Sequence, residues 1–158
     1  MAEPLADQIE RQIHHAIELY HRLVLVVAPA GAGKTKALQV LSERLGAPLI
    51  NVNLELSRRM LELSERQRAL LLRRLLSETV NAVQADVILL DNIEILFDVS
   101  LKQEPLPLLQ GLSRNRTVIA AWNGSTDNEH LVYAAPGHPE YKRYPKGDFL
   151  AVNPGTTL

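Results

Sequence analysis

The sequence predicts an α/β fold, a three-layer sandwich with a mainly parallel sheet between helices. Three observations predict it. Short apolar runs alternate with stretches of helical periodicity along the chain. One run, Val87-Ile88-Leu89-Leu90, is continuous, as in a strand covered on both faces. Another, Leu23-Val24-Leu25-Val26-Val27, leads into the octapeptide Ala28-Pro29-Ala30-Gly31-Ala32-Gly33-Lys34-Thr35. Strand, glycine-rich turn, Gly-Lys-Thr and helix make up a phosphate-binding P-loop.

The elements follow in order. Leu5, Ile9, Ile13, Ala16, Ile17 and Tyr20 recur at helical spacing, so residues 4–21 read as an amphipathic helix. His14, His15 and His21 lie on or near it without the carboxylates that a metal site would add. Strand 23–28, the P-loop and a helix over 34–45 come next, with Gly46 where a helix C-cap is expected. Residues 48–53 read as a second strand and 55–62 as a short helix. Ser64-Glu65-Arg66-Gln67 has the pattern of a capping box, so a longer helix should start at 65. Leu70, Leu71, Leu75, Leu76, Val80 and Val83 form its expected apolar stripe. Residues 87–91 are a third strand, 92–98 and 105–113 short helical pieces, and 117–122 a fourth strand. The seven residues from Asn123 to Glu129 are too few for a parallel crossover. Residues 130–134 should therefore return antiparallel, giving the sheet a mixed edge. Pro136-Gly137-His138-Pro139-Glu140-Tyr141 is turn-rich, and 149–152 a last short strand. No helical lid follows the core. Residues 1–22 are the N-terminal helix and 23–158 the nucleotide-binding domain, one domain overall.

Composition narrows the function classes. At 158 residues and 46% hydrophobic content the chain suits one core. A net charge of −1 argues against attraction to nucleic acid by bulk charge. The absence of cysteine excludes disulfides, thiolate metal sites and cysteine nucleophiles. No run reaches membrane-span length, and the N-terminus lacks signal-peptide character, so no membrane contact and a cytoplasmic location are expected.

The site chemistry is read from the P-loop outward. Pro29, Ala30, Gly31, Ala32, Gly33, Lys34, Thr35 and Lys36 are the expected nucleotide-binding residues. Small residues let backbone N–H groups turn toward the β-phosphate, and the following helix adds its positive end. Lys34 should reach the β- and γ-phosphates, and Thr35 should ligate Mg²⁺. Ala28 replaces the first glycine of the usual pattern. Asp91, ending a hydrophobic strand, has the Walker B arrangement and is the second expected metal ligand. ATP and Mg²⁺ are the expected cofactors. Asn92 stands where a water-orienting Glu commonly follows and cannot accept a proton. Either hydrolysis is poor, or another acid serves: Glu94, Glu140 or one from a neighbouring subunit. Asn123 resembles the polar sensor 1 of AAA+ and related ATPases, although Asn123-Gly124 is equally a turn signal. Lys34, Asp91, Glu94 and Asn123 are the candidate catalytic set.

Six of the twelve arginines, Arg58, Arg59, Arg66, Arg68, Arg73 and Arg74, fall within seventeen residues. They suit DNA phosphates, an acidic partner, an arginine finger in trans, or a solvated helix face with i,i+4 pairs. Arg114 and Arg116 are further finger candidates.

Several segments together are similar to a known family. They are the P-loop, Asn51-Val52-Asn53-Leu54-Glu55-Leu56-Ser57, Leu89-Leu90-Asp91-Asn92-Ile93-Glu94-Ile95-Leu96-Phe97, Ala121-Trp122-Asn123-Gly124 and Tyr133-Ala134-Ala135-Pro136-Gly137-His138-Pro139-Glu140-Tyr141. Over nearly its full length the chain resembles BrxF, the small P-loop proteins of type 3 BREX bacteriophage-defence systems. The resemblance implies a bacterial cytoplasmic accessory ATPase. Its partners would be other BREX proteins: a large ATPase, an adenine methyltransferase and a phosphatase-like protein. The expected function is an Mg·ATP-binding subunit whose nucleotide state controls assembly, with weak or partner-stimulated hydrolysis. A homo-oligomer is a further expectation. Two other functions fit the residues, a small-molecule kinase and a DNA-binding module using the arginine cluster.

Overall fold

The computed structural model describes residues 4–127 and 129–154. Among the described residues, seven strands and five α-helices are joined in the order α1 (Leu5–Ala16), β1 (Leu23–Ala28), α2 (Lys34–Leu45), β2 (Leu49–Asn51), α3 (Val52–Met60), α4 (Glu65–Asn81), β3 (Val87–Asp91), α5 (Pro105–Leu112), β4 (Thr117–Thr126), β5 (His130–Tyr133), β6 (Lys142–Pro145) and β7 (Leu150–Val152). Two short 3-10 turns, Glu94–Phe97 and Val99–Leu101, link β3 to α5.

Strand periodicity sorts the apolar side chains into two cores. Leu23, Leu25 and Val27 of β1 face one core with Leu72 and Leu76 of α4. Val24 and Val26 face the other, with Ile9 and Ile13 of α1 and Leu38 and Leu41 of α2. Continuous apolar strands are thus covered on both faces, which makes the three layers. α1 is part of this second layer.

The parallel strands lie in the order β2-β3-β4-β1-β7. β4 therefore separates the P-loop strand from the strand carrying Asp91. Ala28 pairs with Asn123 and Asn51 with Asp91, so these residues share the carboxyl ends of neighbouring strands. Ligands in open α/β sheets bind outside such ends.

Four expectations need correction. α1 stops at Ala16, not at 21. Beyond it Ile17 and Tyr20 are exposed. His21 is instead held by Asp148, which accepts from its backbone N–H at 2.8 Å and lies 2.6 Å from its Nδ1. β2 ends at Asn51 because that side chain caps α3, accepting from Leu54 N at 3.1 Å. In α4 the Ser64 capping box forms, but Leu72 is buried where Leu70 was expected, and Leu70 is 72% exposed. α4 rolls its Leu72–Leu76–Val80 face into the core, leaving Leu70 outside.

β4 runs on past 122 to Thr126, so Asn123-Gly124 is strand and the turn lies after it. The antiparallel partner β5 pairs only with residues 124–126, beyond the end of β1. The antiparallel return thus forms as expected and makes the mixed edge, on the prolonged end of β4. A further strand, β6, falls in a polar stretch with no strand periodicity. Pairing with β5, and Glu104 accepting from Lys142 (2.9 Å) and Tyr144 (2.7 Å), hold it. β7 pairs parallel with β1 at the far side.

Candidate functional site

The P-loop turns through two glycines with positive φ, Gly31 at 82° and Gly33 at 90°. A side chain at either would be strained whatever the space. This turn leads β1 directly into α2, whose first residue is Lys34. Lys34 is 6% exposed, and its Nζ donates to the carbonyls of Ala28 at 2.8 Å and Pro29 at 2.7 Å. Burial lowers its pKa, and the charges of Glu94 and Asp91 oppose that shift.

A cleft of about 630 Å³ opens over this turn. Ala30, Gly31, Gly33, Lys34, Thr35 and Lys36 line it from the loop side, and Asp91, Glu94 and Asn123 from the strand ends. All four members of the candidate catalytic set therefore border one space. Pro29 contributes a carbonyl to Lys34, and Ala32 lies exposed on the loop outside the lining. Asn92, which stands where a water-orienting Glu is missing, also lines the cleft, as does Gln39, a residue outside the expected site set. Gln39 lies four residues after Thr35, on the same face of α2, and that spacing was a readable signal.

Glu94 is brought in by a local bend. Asn92 takes φ 52°, a left-handed conformation that asparagine tolerates, and its N–H donates to Asp91 Oδ1 at 3.0 Å. Ile93 is then fully buried, and a 3-10 turn begins at Glu94. Asn53 fastens the bend from the start of α3. Its N–H donates to Asn92 O at 2.9 Å, and its Oδ1 accepts from Ile95 N at 2.8 Å. Its Nδ2 reaches Glu94 Oε1 at 3.5 Å. The sequence pattern runs as strand through Asn53, and only the end of β2 at Asn51 reveals its role. Burial raises the Glu94 pKa, the Asp91 charge raises it further, and Lys34 pulls the other way.

Asp91 is 7% exposed at the end of β3. With the Thr35 hydroxyl it offers hard oxygen donors, the kind Mg²⁺ takes beside phosphate oxygens. Among the described residues no cluster of three or more His, Asp or Glu side chains forms a separate metal site, the α1 histidines included.

Other candidates lie elsewhere. Glu140 does not line the cleft. Its charge and that of Glu94 both act on the phenol of Tyr133, which burial above all pushes up to about 12. Arg114 and Arg116 precede β4, at the opposite end of the strand from Asn123, roughly 20 Å away at strand rise. Arg114 lies 4.5 Å over the Tyr20 ring, and Arg116 donates to Asn81 at 2.7 Å. Within the arginine cluster, Arg58 pairs with Glu55 in α3 and Arg74 with Glu78 in α4.

Residues 24–129 match the family described as ATPase family associated with various cellular activities (AAA). The chain belongs to the AAA family. The match begins in β1, takes in the cleft and ends just before β5, so α1, β5, β6 and β7 lie outside it. No curated protein matches the sequence. Among solved structures this AAA domain is similar to PCH-2 of C. elegans, at 18% identity and a TM-score of 0.41, over 78% of this chain. It spans 36% of that chain. Among the described residues, no helix of the AAA domain is long and apolar enough to cross a membrane.

Proposed function

We propose that the chain is an ATP-hydrolysing subunit in which Mg·ATP occupies the P-loop cleft and Glu94 takes the role that Asn92 cannot fill. The observation that carries this reading is the convergence of Glu94, Asp91 and Lys34 on one cleft. Lys34 and the loop N–H groups would hold the phosphates, and Thr35 and Asp91 would hold Mg²⁺, which would supply neutralisation of phosphate charge. Glu94 orients the attacking water and accepts its proton. Its raised pKa suits it to that task, because a base with a pKa nearer neutrality drives proton transfer better. Asn123 directs its amide at the γ-phosphate region.

Turnover by the chain alone is slow. The loop residues 29–33, Thr35 and Lys36 are exposed, and water reaches the bound phosphates until a partner covers them. The resemblance of the Asp91-Asn92 strand end and the Pro136–Tyr141 segment to the type 3 BREX proteins supports a bacteriophage-defence role. There nucleotide state would control assembly with other BREX proteins or with further copies of this chain.

The test is phosphate release from Mg·ATP by the purified protein. Lys34→Ala abolishes nucleotide binding, and Asp91→Ala removes its metal dependence. Glu94→Gln retains binding and lowers turnover by about 10²–10⁴-fold. Unchanged turnover in Glu94→Gln removes Glu94 from the role, and unchanged ATP affinity in Lys34→Ala removes the site.

A further inference from the structure

A second cleft, also of about 630 Å³, lies on the α4 side of the molecule. Glu65, Arg66, Ala69 and Leu70 of α4 form one wall, and Ser100 and Lys102 the other. Much of its lining is hydrocarbon. Leu70 is 72% and the adjoining Val99 58% exposed, side chains large enough to gain by being covered.

Its two cations, Arg66 and Lys102, are exposed to solvent. Arg66 and Leu70 follow at i and i+4 on α4, one helical face. Among the described residues, Arg66 and Lys102 make no ion pair, and Glu65 is the one acid in the lining. An apolar floor with cationic edges complements an amphipathic helix bearing leucine-type anchors and acidic flanks. Exposed leucine and valine favour such a peptide over nucleic acid, which arginines alone would serve.

The cleft also touches the nucleotide site through one segment. Asn92 and Glu94 line the nucleotide cleft, and Ser100 and Lys102, a few residues on, line this one. A smaller cavity of about 360 Å³ shares Glu65 and Ser100 and is bordered by Ile95 and Asp98. The segment is internally braced. Asp98 accepts from Ser100 N and Oγ at 2.9 and 2.7 Å, and Gln103 donates to Ala69 O of α4 at 3.0 Å. Phe97 stacks on Tyr133 of the hairpin with centroids 3.5 Å apart. Residues 94–102 thus form one continuous, braced stretch of chain that borders both clefts.

We propose that this cleft receives an acidic amphipathic helix of a partner protein and that its occupation resets Glu94 through residues 94–102. The coupling half rests on the catalytic reading of Glu94, and the binding half does not. The probe is a synthetic amphipathic helix with a leucine stripe and glutamate flanks, titrated against the full chain at low and high salt. Saturable binding is expected, weakened by salt and by about tenfold or more in Leu70→Asp and in Lys102→Glu. Both positions are exposed, so unchanged Tm confirms intact folding. Peptide binding should protect the amides of residues 95–102 from hydrogen exchange and change the rate of phosphate release.

Equal affinity in both variants, or equal binding of a lysine-flanked peptide, overturns the proposal. So does displacement of the peptide by a duplex oligonucleotide. Self-association that Leu70→Asp abolishes also overturns it by making the occupant a second copy. Binding with neither amide protection nor altered turnover overturns the coupling. Glu94→Gln binds the peptide normally, so survival of turnover in that variant refutes the catalytic reading without touching the peptide result.

Discussion

Replacing Gly124 with alanine should unseat the hairpin at the point where β4 changes partners. Up to Asn123 the strand pairs with β1, and from Gly124 it pairs with β5. A Cβ at 124 would collide with the Val132 carbonyl oxygen and then meet the Trp122 indole nitrogen at 3.0 Å. Neither neighbour yields easily. The carbonyl belongs to β5 and already accepts from Trp122 Nε1 at 3.1 Å. The indole is fully buried against Phe97, Tyr133 and Tyr144, at centroid separations of 5.1, 6.1 and 6.3 Å.

Relief requires β5 to move away, at about 1–3 kcal/mol for overpacking. The strained or lost indole hydrogen bond adds about 1 kcal/mol. The smaller entropy of the unfolded alanine chain returns about 0.4–1 kcal/mol. The net loss is about 1–3.5 kcal/mol, a drop in Tm of roughly 2–14 °C for a chain of this size. Trp122 is the single tryptophan, so urea unfolding followed by its emission reads the site directly. A red shift of native emission and weaker ATP binding, through displacement of the adjacent Asn123, should accompany the lower midpoint. A loss under about 0.5 kcal/mol with unshifted emission would refute the steric argument.

Turnover should follow a bell-shaped pH profile. Glu94 must be ionised and its pKa is raised, so the acid limb lies above the ordinary 4.5. Lys34 must be protonated and its pKa is lowered, so the alkaline limb lies below 10.5. A profile flat across both ranges contradicts the assignment. Glu94 also costs stability when ionised. Its folded pKa exceeds the unfolded one, so the fold binds more protons between the two values and stability falls as pH rises through that window. Glu94→Gln should therefore raise Tm at neutral pH and not at pH below 4.5, read by thermal scans. Leu72→Ala, at a fully buried site, should cost about 2–5 kcal/mol. Leu70→Ala, exposed on the same helix, should cost under about 0.5 kcal/mol in the same urea assay. Ser64→Ala removes the Gln67 N–H acceptor at 3.2 Å and should lower stability by about 1 kcal/mol, measured the same way.

Local chemistry made much of this protein legible in its sequence. The P-loop, Asp91, the α4 capping box and the Gly46 cap each depend on a few adjacent residues whose conformational demands are strong. Continuous apolar strands announced helices on both faces, because only burial on two sides tolerates them. Glu94 and Asn123 were readable as candidates by proximity to recognisable strand ends. What tertiary structure decided was whatever depends on distant partners. α1 stops where the core stops and Asp148 takes hold of His21. α4 rolls to bury Leu72 in place of Leu70, since both share the spacing of an apolar stripe and only the opposing surface chooses. Asn53 clasps the Glu94 bend across 41 residues of chain, a contact that no local pattern encodes. β6 forms because β5 and Glu104 wait for it, and strand pairing is a property of two segments.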